Sequence, residues 1–161
     1  MIFETAGQHM VQDRAGRSSE RLFMRFAPED RIATASLVLR ENAVRAIGSY
    51  VEDIAQFVPV FWLTPRQEPH IPDSYIMRKG CDHPFALRPG QQELFAGLAA
   101  LVARIGGDLA NVTVVDQMDL VKLQMPQDFL TCERSFWTDA DHLSTEGRAS
   151  FGDRLAPALL R

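Results

Sequence analysis

Short apolar runs with almost no charge alternate with amphipathic segments along this chain, and this alternation constrains the fold more than any other feature. Three runs predict buried strands: Ile32–Leu39, Phe57–Leu63 and Val112–Val115. Four segments predict helices, the two longest with apolar residues spaced along one side. The predicted helices are Ala43–Gln56, Gln91–Ile105, a short Asp116–Leu123 and a last helix from Ser144 toward Leu155.

Strands that alternate with helices predict an α/β fold, here a three-layer α/β/α arrangement around a mainly parallel sheet. We expect one domain over 1–161, with 1–26 poorly defined and the clearer pattern over 27–161. In such sheets chemistry gathers in the loops beyond the carboxyl ends of the strands. Those loops begin here at Arg40, Thr64 and Asp116.

Charge and composition narrow the classes of partner. Seventeen basic and twenty-one acidic residues give a net charge of −4, which is not typical of a protein that binds the nucleic-acid backbone. The longest apolar run, around Phe57–Leu63, is too short to span a bilayer. The first twenty residues lack the pattern of a secretory signal. We therefore expect no nucleic-acid partner and no membrane span in this chain, and the residues alone indicate no compartment.

The segment 64–90 is a long, irregular connection, and loops of this length inside a domain are usually functional or mobile. It contains His70, Cys81 and His83, but no second pair of ligands lies at zinc spacing, so we interpret them as loop residues. Cys81 and Cys132 form either one disulfide or two free thiols, and two cysteines do not decide between these.

The stretch 137–144, which reads Trp-Thr-Asp-Ala-Asp-His-Leu-Ser, carries the strongest chemical signal. A carboxylate three residues before a His can accept the imidazole Nδ1–H and leave Nε2 free as a general base. Asp139 and His142 have this spacing, and Ser144 fits the N-cap of the following helix. In the alternative interpretation, Asp139 and Asp141 are solvated turn residues and His142 is an ordinary loop residue. On spacing alone this alternative is the commoner outcome, because short Asp and His patterns recur by chance.

The motif Asp139-x-x-His142, within Asp-Ala-Asp-His-Leu-Ser-x-x-Gly and before a closing helix, resembles the last block of SGNH (GDSL-like) hydrolases. It is most similar to the C-terminal SGNH domain of membrane acyltransferases that O-acetylate cell-surface polysaccharides. The other matching residues are Trp137, Leu143, Ser144 and Gly147. The resemblance covers roughly Asp30 to the end of the chain.

This resemblance implies Ser-His-Asp ester chemistry on an α/β sheet. It makes His142 the general base, Asp139 the residue that orients it, and Asn42 an oxyanion-hole donor. The segment 40–43 nevertheless lacks the family's Gly and second acid, and Asn42 is equally an N-cap for the helix from Ala43 onward. The resemblance further implies an acylated carbohydrate or acyl donor as partner, no metal, no cofactor, and a periplasmic or cell-envelope location.

The sequence departs from the family at the nucleophile, since no Gly-Asp-Ser occurs in it. Ser18 and Ser19 are the only serines before Ile32–Leu39, and no apolar strand precedes them, so we place both in a solvated loop. We expect a weakly active or inactive form that is incomplete at its N-terminus: a fragment, a mis-started reading frame or a degenerate homologue.

The predicted function is therefore ester hydrolysis or acyl transfer, acetyl transfer included, on acylated carbohydrate. The alternative from another class is a non-catalytic carbohydrate-binding or interaction module that retains the fold. A nucleotide-binding domain is disfavoured because no Gly-rich loop follows a strand, and Gly106 and Gly107 end a helix. Trp137 belongs either to the core or to an acyl pocket, and the oligomeric state is not indicated.

Overall fold

A parallel β-sheet lies at the centre of the computed structural model, which describes residues 1–19, 22–23, 26–30, 36–139 and 141–160. The described strands are β1 (Ile2–Glu4), β2 (Val11–Asp13), β3 (Leu37–Leu39), β4 (Val60–Leu63) and β5 (Val112–Val115). The described α-helices are α1 (Glu41–Ala55), α2 (Asp73–Lys79), α3 (Gln91–Gly106), α4 (Gln117–Val121) and α5 (Thr145–Leu159). A short 3-10 helix, Gly7–Met10, joins β1 to β2.

The sheet has three parallel strands in the order β1-β4-β5, and helices flank it, which confirms the α/β class. Side chains alternate across each strand, so Phe3, Trp62 and Val114 share one face and pack against α1 and α3. Trp62 is fully buried there. On α3, a side chain at Gly106 would lie 2.5 Å from Val114, so the close approach of helix and sheet requires glycine.

The described part of the strand predicted at Ile32–Leu39 does not join the parallel sheet. Its described part, β3, pairs antiparallel with β2 in a separate two-stranded sheet, and residues 31–35 lie outside the described residues. The partner strand comes from 11–13, a polar segment in which no strand period was visible. The expectation of a parallel strand here was wrong. A run without charged residues predicts a buried strand, but it does not indicate which other strand pairs with it.

The remaining elements follow the predicted pattern with shifted ends. β4 begins only at Val60, because Pro59 has no backbone N–H to donate, and Phe57 remains 85% exposed. The segment 64–90 contains α2, which follows Pro72 and ends at Gly80 in the left-handed region (φ 83°). None of the described helices combines the length and apolar character needed to cross a bilayer.

A second apolar cluster lies away from the sheet and supports the segment 121–137. Its buried members are Ile71, Tyr75, Phe85, Val121, Phe129, Phe136, Trp137 and Phe151. Arg154 of α5 donates to both carboxylate oxygens of buried Asp128, at 2.6 and 2.8 Å. Cys81 and Cys132 form a disulfide with their Cα atoms 4.8 Å apart. Trp137 belongs to this cluster and Leu143 packs against it, so the cluster supports the stretch 137–144.

Polar side chains tie together the carboxyl ends of the three parallel strands. Thr64, directly after β4, donates through Oγ1 to Asp116, directly after β5, at 3.2 Å. The Gln117 side chain donates to the Thr64 carbonyl (2.6 Å) and to a carboxylate oxygen of Glu4 at the end of β1 (2.9 Å). This carboxyl edge is where chemistry is expected in a parallel sheet.

Candidate active site

A tight turn presents the Asp139–His142 pair. Trp137 and Leu143 form an antiparallel bridge that closes it. Within the turn, the backbone N–H and the hydroxyl of Thr138 both donate to the His142 carbonyl, at 2.8 and 3.0 Å. The pair is therefore held by local hydrogen bonds, as the three-residue spacing predicts.

The turn leads directly into α5. Ser144 is the N-cap, as predicted, and its Oγ accepts the backbone N–H of Gly147 at 3.0 Å. A Cβ at Gly147 would lie 2.0 Å from the carbonyl oxygen of Phe136, so no other residue fits at this position without moving the backbone. The Gly of the sequence motif is thus explained by the close packing of the helix start on the preceding segment.

His142 and Asp139 form a hydrogen-bonded dyad. The Nδ1 atom of His142 lies 3.0 Å from each carboxylate oxygen of Asp139, and 3.1 Å from one oxygen of Asp141. The imidazole side chain is 74% exposed. An ionised carboxylate at Nδ1 favours the tautomer with the proton on that nitrogen, which leaves Nε2 as a proton acceptor.

The two groups shift each other's ionisation. Burial alone would raise the pKa of Asp139, but the backbone N–H groups of Asp141 and His142 donate to its carboxylate and lower the pKa to about 2. The hydrogen bond that the His142 ring donates to Asp139 raises the pKa of His142 above 6.5, and the charge of Asp141 adds to this effect. Asp139 is thus ionised throughout the physiological range, and His142 is a stronger base than a free imidazole.

Asp141 connects the turn to the carboxyl edge of the sheet. The side chain of Gln8, in the 3-10 helix after β1, donates to its carboxylate at 3.1 Å. Arg66, which follows β4, contacts its carbonyl at 3.5 Å and covers the Trp137 ring at 5.6 Å. Arg66 also lies 3.5 Å from a carboxylate oxygen of Glu4. These contacts place the dyad beside the strand ends.

A buried acid and histidine lie behind Arg66. The Glu68 and His70 side chains are 3% and 2% exposed, and their nearest atoms are 3.3 Å apart. Neither of these two atoms forms a hydrogen bond with any of the described residues. His70 stacks on Phe23 with ring centroids 4.7 Å apart. The sequence predicts His70 to be a loop residue, and no pattern in it indicates that His70 and Glu68 are buried.

Asn42 does not reach the dyad. It is exposed in the first turn of α1, whose N-cap is Arg40, so the N-cap interpretation of Asn42 was wrong because the helix begins earlier than predicted. It lines a polar pocket with Gln12 and Arg40 that contains neither member of the dyad. The role of Asn42 as an oxyanion-hole donor stays a prediction, and none of its described contacts supports it.

In the part of the chain that the structure describes, no Ser or Thr hydroxyl forms a hydrogen bond with the His142 ring. Ser18 is exposed, whereas Ser19 is fully buried and donates to the Gln8 carbonyl at 3.1 Å, so its placement in a solvated loop was wrong. The Thr5 hydroxyl, just after β1, is buried and has no hydrogen-bond partner among the residues that the structure describes.

The same turn offers atoms of the kind that bind divalent metal ions. Asp139, Asp141 and His142 can each supply one ligand atom, and these atoms lie within 4.8 Å of one another. Two carboxylates and one imidazole suit an ion such as zinc. A metal ion bound at Nδ1 of His142 would displace the hydrogen bond from Nδ1 to Asp139. The turn therefore cannot bind a metal ion at Nδ1 and form the hydrogen-bonded dyad at the same time.

Replacing Asp139 with Asn is expected to lower the pKa of His142, because the ionised partner that favours the imidazolium is removed. A proton NMR titration of the imidazole resonances measures this directly. Asp141→Asn serves as the matched variant and is expected to lower the pKa by less, since Asp141 is the second contributor. An unchanged pKa in Asp139→Asn would mean that the dyad does not form in solution.

Comparisons with known proteins add little to this geometry. No family model and no curated protein matches the chain. Among solved structures, the chain is similar to "The structure of a putative platelet activating factor from Streptococcus pneumonia", with 17% identity and a TM-score of 0.47. The match covers 74% of this chain, and the chain spans about half the length of that structure, 50%. A similarity at this level carries no functional information, so function rests on the geometry of the site.

Proposed function

We propose that the chain is an ester-processing domain in which His142 is the general base and Asp139 orients it. The supporting observation is the contact of His142 Nδ1 with both Asp139 oxygens at 3.0 Å on a side chain that is 74% exposed. The ionised carboxylate fixes the tautomer and stabilises the imidazolium that forms during the reaction. The accessible Nε2 is then free to take a proton from an attacking hydroxyl.

The reaction is ester hydrolysis with water as the nucleophile. Nε2 of His142 takes a proton from water as the water oxygen bonds to the ester carbonyl carbon. The tetrahedral intermediate then expels the alcohol, which takes the proton back from Nε2, and the products are a carboxylic acid and an alcohol. Turnover is low, because a positioned nucleophilic hydroxyl such as the one that activates serine hydrolases is not among the described contacts of His142.

A sugar hydroxyl in place of water would make the same step an acyl transfer. An acylated carbohydrate substrate and the transfer reaction are supported by the sequence resemblance of the stretch 137–147 to SGNH acyltransferase domains. The Cys81–Cys132 disulfide supports an oxidising compartment such as the periplasm or cell envelope. No metal takes part in this proposed mechanism.

Turnover of p-nitrophenyl acetate by Asp139→Asn and Asp141→Asn tests the proposal. Asp139→Asn is expected to lower turnover at least about tenfold, because the amide holds the wrong tautomer of His142. Asp141→Asn is expected to change it much less. A chelator is expected to leave the wild-type rate unchanged. Loss of activity with chelator, and its recovery with zinc, would instead assign Asp139, Asp141 and His142 to a metal site.

A second candidate function is a non-catalytic carbohydrate-binding module, which the lack of a described hydroxyl contact at His142 favours. It predicts saturable binding of an acetylated polysaccharide that His142→Ala and Asp139→Ala leave unchanged. Loss of binding in both variants would indicate that the sugar binds at Asp139 and His142. That result would favour the proposed ester chemistry over the non-catalytic module.

A further inference from the structure

An apolar cavity of about 250 Å³ opens beside the dyad. One wall is α2, which contributes Ile76 and Met77, and the opposite wall is the segment 129–139. The floor includes Phe129 and Trp137, which are 2% and 4% exposed. Trp137 therefore belongs both to the core and to a pocket, and the cavity adjoins the dyad through Asp139, which lines it.

The chemistry of the lining favours an uncharged apolar occupant. Ile76, Met77 and Leu130 supply aliphatic surface, and the aromatic floor adds to it. The charged groups among the lining residues are the carboxylates of Asp73 and Asp139. These two negative charges repel a free fatty acid but accept a neutral chain.

The cavity has the size of an acyl group. An engineered apolar cavity of about 150 Å³ holds benzene, so about 250 Å³ accommodates roughly ten carbon atoms. Pockets that hold a complete drug-sized ligand have volumes of about 300–1,000 Å³, so this cavity is smaller than such a pocket. An ester bound at His142 can place only one of its two sides in this space.

We infer that the cavity binds the acyl chain of the ester substrate, and that the preferred chain has about six to ten carbons instead of acetyl. The role of this cavity in catalysis rests on the proposed ester chemistry at His142. The binding of an apolar chain in the cavity does not depend on that chemistry. The inferred substrates are medium-chain acyl esters, whereas the sequence resemblance to SGNH acyltransferase domains suggests acetyl esters.

The disulfide joins the two walls of the cavity. Cys81 lies just after α2, and Cys132 lies between Leu130 and Ser135 of the opposite wall. A covalent link at this point limits how far the walls can separate. Reduction of the disulfide is therefore expected to weaken the binding of long chains more than that of short ones.

Binding of neutral amides, measured by isothermal calorimetry, tests the cavity without catalysis. The probes are acetamide, butyramide, hexanamide and octanamide, which copy the acyl group without its negative charge. Affinity is expected to rise about fourfold for each added CH₂ until the cavity is full. An affinity that does not depend on chain length would overturn the inference, whatever the esterase activity.

Two variants locate the binding. Met77→Asp places a charge at the mouth of the cavity, and Ser135→Phe fills it from the rim; both are expected to lower hexanamide affinity at least about fivefold. The matched control is Phe57→Asp, because Phe57 and Met77 are both 85% exposed and Phe57 does not line the cavity. Equal effects of Met77→Asp and Phe57→Asp, together with no effect of Ser135→Phe, would overturn the assignment.

Hydrolysis of p-nitrophenyl esters from acetyl to decanoyl separates the two proposals. Activity that peaks at hexanoyl or octanoyl and shifts toward acetyl in Ser135→Phe supports both. Chain-dependent amide binding without any ester turnover keeps the acyl cavity and rejects the proposed hydrolysis. Ester turnover with chain-independent amide binding rejects the cavity and keeps the dyad.

Discussion

Replacing His142 with Ala is expected to lower ester turnover at least about 100-fold, which is the lower range for loss of a general base. The side chain is 74% exposed, so its removal leaves the second apolar cluster intact and the protein folded. The loss is expected in kcat, because the base acts on the attacking water and does not bind the substrate. Steady-state kinetics with p-nitrophenyl acetate and hexanoate measure it.

His9→Ala is the matched control for this variant. His9 is also exposed, and it lies in the 3-10 helix outside the dyad, so its removal is expected to change turnover less than twofold. If His142→Ala kept turnover close to that of His9→Ala, hydrolysis would occur elsewhere on the protein. The assignment of His142 as the general base would then be disproved.

Replacing Arg88 with Met is expected to lower the free energy of unfolding by about 4 kcal/mol, since four backbone carbonyls, two of them in fully buried hydrogen bonds, lose a charged donor worth about 1 kcal/mol or more each. Arg88 is 2% exposed. Its guanidinium donates to the carbonyls of Phe23, Phe26, Ala27 and His70 at 2.5 to 3.0 Å. Burial lowers the pKa of Arg88 to about 10, so the group remains charged near neutral pH.

Urea unfolding measures the effect, with Arg104→Met as the control. Arg104 is 57% exposed and pairs with Glu41 at 3.0 Å, and an exposed ion pair contributes little to stability because water screens it. A loss in Arg88→Met no larger than that in Arg104→Met would mean that the four carbonyls are solvated in the folded protein. The importance of Arg88 for joining Phe23, Phe26 and Ala27 to the segment 64–90 would then be disproved.

The local part of the candidate site could be predicted from the sequence. Asp139 and His142 are three residues apart, and in the Asx-type turn between them the Asp139 carboxylate accepts the backbone N–H groups of Asp141 and His142 from the same stretch. Ser144 caps the next helix through Gly147, three residues later. These interactions need no distant partner, so spacing and residue type suffice to indicate them.

The distant part of the site could not be predicted. Gln8 contacts Asp141 across 133 residues and Arg66 contacts it across 75, and no periodicity records such contacts. Residue type alone likewise gave no sign that Glu68 and His70 are buried together. The antiparallel partner of β3 was missed for the same reason, because strand pairing depends on which segments meet in space and not on their composition.

The pH dependence of kcat/KM for p-nitrophenyl hexanoate tests the central claim most directly. Protonated His142 cannot accept a proton, so activity is expected to rise with pH through the pKa of this group, which the dyad holds above 6.5. The account predicts that the kinetic midpoint coincides with the pKa of His142 measured by NMR in the same buffer, and that both fall together in Asp139→Asn. A flat profile, or a midpoint that does not move with the NMR value, would contradict it.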